Sequence, residues 1–150
     1  MNELQQITSL LSKTYEKNAW HGPSIKEVLS AITIKDAAKR LPNTHSIIEL
    51  VNHMTAWRTF VVKKLRGDSD YKVTEEMNFR VSDDWTAALS DLAQSQSELI
   101  EAIASFPADK LTEKVPHKEY NYTFYTLLHG IIHHDLYHIG QIMLIHKAVV

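Results

Sequence analysis

From about Tyr122 to Ala148 the chain runs without a proline and repeats apolar residues at helical spacing on two sides at once. One strip carries Leu127, Ile131 and Ile145; the other carries Leu128, Ile132, Leu136, Ile139 and Met143. A helix apolar on two sides must be covered on two sides. It therefore sits at the centre of a helical assembly or at an interface between copies, for which a homodimer is the simplest form. With only four Gly and four Pro in 150 residues, the chain has few means of making tight turns, so long helices are expected rather than many strands.

Three further long helices follow from the same reading. The first covers about Asn2–Asn18, with Leu4, Ile7, Leu11 and Tyr15 as its stripe, and ends before His21-Gly22-Pro23. Ser24 caps a short helix over Ile25–Ser30, and Ile32–Asn43 reads as a connection with one helical turn at Asp36–Lys39. Ser46-Ile47-Ile48-Glu49 is a capping box that opens the second long helix, whose stripe is Leu50, His53, Met54, Trp57, Phe60 and Val61. Gly67 closes it, and the more polar Asp68–Val81 reads as loop or short extended structure. Ser82-Asp83-Asp84 opens the third, with Pro107 just past its end. Ala108–Asn121 is another long connection. The fold class is all-α: a single domain over residues 1–150, a four-helix bundle with long connections that permit crossovers.

Hydrophobic residues at 44% and charged residues at 23% are ordinary for a globular domain. A net charge of −2 gives no electrostatic reason to expect nucleic acid or an anionic membrane. No apolar run approaches the ~18 residues of a spanning helix, and the opening residues do not read as a signal peptide. Cysteine is absent, which removes disulfides and thiolate ligands and fits a reducing cytoplasm.

Nine histidines remain to be explained, and five of them (His129, His133, His134, His138, His146) crowd the last long helix. On a wheel of about 100° per residue, His138 lies about 40° from His134. Leu127 and Ile145 fall about 20° away, and Gln141 about 20° on the other side. Both imidazoles thus project from an aliphatic face, where an unpaired polar group costs roughly 1–3 kcal/mol. A shared metal ion satisfies them, as does a hydroxyl, carboxylate or carbonyl. His129 and His133 repeat the spacing about 140° and 100° away, on a more polar strip that faces solvent or an interface. On the second long helix His53 shares the apolar stripe, one turn after Glu49. Glu49 is a candidate partner or general base for His53, with the capping box as its plainer role. Gln141 is a candidate hydrogen-bond partner for a bound ligand, or a tie between helices.

The segment His134-Asp-Leu-Tyr-His138-Ile-Gly-Gln-Ile142 resembles the C-terminal signature of the DinB/YfiT-like superfamily. Ser46-Ile-Ile-Glu-Leu-Val-Asn-His53-Met-Thr-Ala-Trp57 resembles that family's second-helix motif, and Trp20-His-Gly-Pro-Ser24 the start of many of its sequences. The resemblance implies a bundle with crossovers between helices one and two and between three and four, often dimeric. It also implies a divalent metal, commonly zinc or nickel, held by His53, His134 and His138. Some relatives transfer a low-molecular-weight thiol or use one as cofactor. Two readings of function follow: a metal-dependent enzyme of the transferase or hydrolase class acting on an unidentified small molecule, or a non-catalytic bundle in which the metal is structural.

Overall fold

The computed structural model describes all 150 residues and is all-α. Its helices are α1 (Glu3–Tyr15), α2 (Ile25–Ser30), α3 (Ile34–Ala37), α4 (Ile47–Leu65), α5 (Glu75–Asn78), α6 (Trp85–Ala104) and α7 (Phe124–Val149), with a 3₁₀ turn at Ala108–Lys110. The only extended pairing is an isolated bridge between Lys114 and Thr123. No helix is long and apolar enough to cross a membrane.

The helix starts are set by side chains. Ser46 accepts from the Glu49 N–H while the Glu49 carboxylate accepts from the Ser46 N–H at 2.7 Å, so two of the free donors at the start of α4 are satisfied reciprocally. Asp84 caps α6 and Thr123 caps α7 in the single-sided form. At the far end of α4, Gly67 takes φ 89°, with Gly67 N–H bonded to Lys64 O and Asp68 N–H to Lys63 O. That paired closure needs a left-handed residue, which glycine supplies without a Cβ penalty.

The four long helices pack so that α1 and α4 each lie against both α6 and α7. Two apolar clusters fill the interior. One joins Leu4, Ile7 and Leu11 to Phe60–Val62, Leu99, Ile103 and the first half of α7. The other joins Tyr15, α2, Ile47–Met54, Trp85, Leu92 and Ile139–Ile145. The order of the clusters along each helix fixes direction: α4 and α6 run parallel to each other and antiparallel to α1 and α7. The crossover between neighbouring parallel helices therefore joins α4 to α6, the second and third long helices. The expected crossovers, between one and two and between three and four, instead join antiparallel helices.

This crossover also corrects the reading of Asp68–Val81 as loop or extended structure. Thr74 caps the one-turn helix α5 within it. A single turn leaves no periodicity to detect. The second apolar strip of α7 is covered from within the chain, with Leu128, Ile132 and Ile139 all buried in the two clusters. α7 thus packs on α1, α2 and α4 within the chain.

Between the clusters lies a polar layer. Arg58 of α4 and Asp135 of α7 are both 0% exposed and joined at 2.6 Å, and Gln96 of α6 accepts from the Arg58 Nε and Nη2 at 3.3 and 3.2 Å. The Tyr15 ring lies 5.5 Å from the guanidinium. Burial raises the Asp135 carboxyl above its ordinary range, and the adjacent Arg58 pulls the other way. Arg58 is the only hydrogen-bond partner of the Asp135 carboxylate, whose second oxygen is buried without one, so the pair fixes the register of α4 against α7.

Candidate metal centre

The histidine cluster stands in this same layer. His53 comes from α4, one turn before Trp57, and His134 and His138 come from successive turns of α7. Their ring nitrogens converge: Nε2 of His134 lies 3.0 Å from Nε2 of His53 and 3.1 Å from Nε2 of His138. One nitrogen from each of the three falls within 4.8 Å of the other two. His53 and His138 are buried and His134 partly so.

The far nitrogens decide which form each ring takes. Nδ1–H of His53 donates to the Asn78 carbonyl at 2.9 Å, an acceptor that cannot donate in return. Nδ1–H of His138 donates to Gln141 Oε1 at 2.7 Å. Both neutral rings therefore aim an Nε2 lone pair inward. Nδ1 of His134 is buried without a partner, so only what meets its Nε2 sets its tautomer. Two inward lone pairs beside a third imidazole form an electron-rich centre compatible with a divalent cation. Imidazole nitrogens each about 2.0–2.1 Å from one tetrahedral ion stand ~3.3 Å apart, close to the two separations seen here.

Electrostatics keep the rings in the ligand form. Burial, and then repulsion by neighbouring imidazoles, pushes His53 down to about 4 and His134 down to about 3. Burial also lowers His138, against the opposing bond to Gln141.

Packing holds the ring of His53 in its plane. Phe79 stacks on it at 3.9 Å with 4° between planes, and His45 stacks on the other face of Phe79 at 3.7 Å. Asn78 works twice, since its side-chain oxygen accepts from the Trp57 indole N–H at 3.0 Å. Asn78 and Phe79, both from the α5 crossover, are site residues that sequence reasoning missed, as are Arg58 and Gln96. The signal for Asn78 is close to nil: a backbone carbonyl is offered by every residue.

Glu49 is placed elsewhere. It stays with Ser46 and with Arg40 Nη2 at 2.8 Å, and its oxygen lies 3.7 Å from His45 Nδ1. Burial alone would raise its carboxyl, but the bonds to Ser46, with Arg40 beside it, hold it below the usual range. The N–H of His53 goes to Asn78, not to Glu49. Gln141 is brought to the cluster as the partner of His138. Tyr137 packs edge-on against His138 at 5.0 Å and is 66% exposed. The rival pair stays apart: His129 lies 3.7 Å from Glu3 and against Tyr125, and His133 is exposed.

Two cavities adjoin the cluster. One, of about 230 Å³, includes His134 and Trp57 in its lining; the other, of about 390 Å³, includes His138, His45 and Gln141.

No curated protein and no solved structure matches the chain. The family model described as the DinB superfamily matches residues 13–142, and the chain belongs to that superfamily.

Proposed function

We propose that His53, His134 and His138 hold one divalent metal ion with a coordination position left open, and that the chain is a metal-dependent enzyme of the transferase or hydrolase class. The observation that carries this reading is the convergence of three Nε2 atoms, two of them with their Nδ1–H groups already committed to Asn78 O and Gln141 Oε1. Such outer partners orient ligating histidines and raise their basicity. Three neutral imidazoles leave a divalent ion its full charge, which lowers the pKa of bound water toward ~7, polarises a carbonyl or stabilises a thiolate.

The residues themselves supply position and surroundings. Phe79 and Asn78 fix the plane and tautomer of His53, Gln141 fixes His138, and the apolar clusters above and below limit water at the centre. Imidazole ligands suit zinc and nickel, which are the ions to test first. Because the chain has no cysteine, any thiol chemistry uses a low-molecular-weight thiol as co-substrate. Glu49 acts on the site only indirectly, through His45, which lines the larger cavity. A homodimer is proposed on the exposed Tyr137 and Leu144, two turns apart on α7.

The reading of the metal as purely structural has less support. α4 and α7 are already joined by the Arg58–Asp135 pair and by both apolar clusters, so the fold does not need an ion to bring them together. The test is elemental analysis of untagged protein, with melting temperatures before and after chelation. About one zinc or nickel per chain and a modest melting shift support an open catalytic site. Collapse of the fold on chelation supports a structural ion, and no uptake from either metal overturns the proposal.

A further inference from the structure

We infer that the ligand processed at this centre carries a neutral aryl or branched alkyl body, seated between α4 and α7, with its metal-binding head beside His134; this rests on the metal reading above. The cavity of about 230 Å³ is walled by Trp57, Phe60 and Val61 from α4 and by Leu127 and Ile131 from α7. Tyr122, Thr126, Gly130 and His134 complete it, and no charged side chain is among them. A phosphate, carboxylate or ammonium placed there would give up part of its water with no charged group to pair with, which selects against it. Size points the same way: an apolar cavity of ~150 Å³ lined by aliphatic and aromatic side chains takes up benzene. The present one is about half as large again, enough for a ring with a short substituent.

Gly130 lies in the cavity wall. It stands inside α7, where glycine is a poor helix former. A Cβ there meets no atom within 4 Å, so no close backbone approach demands glycine. What its missing side chain leaves is open space one turn before His134. Trp57 is held in place as a wall by its bond to Asn78, the residue that also orients His53. Cavity wall and candidate metal ligand thus share one support.

The experiment compares two probes with the same metal-binding head, acetohydroxamate and benzohydroxamate, titrated calorimetrically into zinc-loaded protein. Burial of the ring makes benzohydroxamate tighter by roughly tenfold or more. Gly130→Leu, which fills the cavity, closes that gap to within about twofold, in a protein whose helix content and zinc content are checked alongside. Gly130→Ala, the milder change, narrows the gap less. Equal affinities in the wild type, with one zinc held, overturn this inference and leave the metal reading standing. A gap that survives Gly130→Leu with the fold intact also overturns it, because the ring then sits elsewhere. Zinc held but neither probe bound removes the open position, and the inference with it. No zinc uptake overturns the metal reading, and this inference falls with it.

Discussion

Helix α7 contains two pairs of histidines with the same spacing, and they have different fates. His134 and His138 meet His53 through Nε2 atoms at 3.0 and 3.1 Å. His129 and His133 have ring centres 6.4 Å apart; one is drawn toward Glu3 and the other is left to solvent. An i, i+4 pair brings two imidazoles to one face, but it does not choose the face. What separates the pairs is the opposite helix. Only the first pair faces α4, where His53 supplies a third nitrogen and the α5 crossover supplies the carbonyl that sets its tautomer.

The sharpest way to break this comparison is to remove one member of each pair. His53→Ala or His138→Ala abolishes stoichiometric metal, while His129→Ala and His133→Ala each keep about one ion per chain by elemental analysis. Metal lost from the second set would place the site on the wrong face of α7.

The next effect concerns the other half of the polar layer. Arg58→Ala leaves Asp135 buried without its charge partner and costs about 3–5 kcal/mol in urea unfolding. Arg58→Met combined with Asp135→Leu recovers most of that loss, since an apolar pair of similar volume replaces an ion pair at little cost. If the double variant loses metal although its stability returns, the pair also sets the register of the histidines.

A smaller effect is expected from the outer partners. Gln141→Leu weakens metal binding by about 10–100-fold without changing the stoichiometry at saturation. An unchanged affinity, measured against a competing chelator, would mean that the His138–Gln141 bond does not matter to the ion.

The pH dependence of the metal-free protein sharpens the contrast further. His53 and His134 are pushed down to about 4 and about 3, whereas free histidine in the unfolded chain titrates near ~6.5. Below that value the unfolded chain takes up protons that the folded one refuses, so stability is flat above it and falls as pH drops toward 4. Asp135, raised by burial, works in the opposite direction over part of this range. The melting temperature therefore declines with falling pH, and the slope is shallower in His53→Ala. The smallest effect is His129→Ala, within about 0.5 kcal/mol of wild type.

Much of this was legible in the sequence because it is local. The box at Ser46, the cap at Asp84 and the stripes of α4 and α7 are written in residues three and four positions apart, whereas the Thr123 cap of α7 emerged only in the structure. The ligand set needed the family resemblance as well, since spacing joins His134 to His138 and puts His53 on the apolar stripe of another helix, but does not bring that stripe to the pair. What stayed hidden depends on the third dimension. Arg58 lies on the same helix as the stripe and gives no sign that Asp135 waits 77 positions away. α5 is one turn long, and its contribution is a backbone carbonyl and a ring that becomes informative only when stacked on His53. Glu49 shows the converse: partner of His53, general base and capping box were all open as local readings, and its bonds go to the capping box and to Arg40.

The central claim is that three imidazoles, and no other side chain, hold an ion with room for a further ligand. X-ray absorption of the zinc-loaded protein tests it most directly. Three imidazole nitrogens at about 2.0–2.1 Å plus at least one exchangeable oxygen is the expected first shell. Two or fewer imidazoles, or a fourth protein ligand closing the shell, would contradict it.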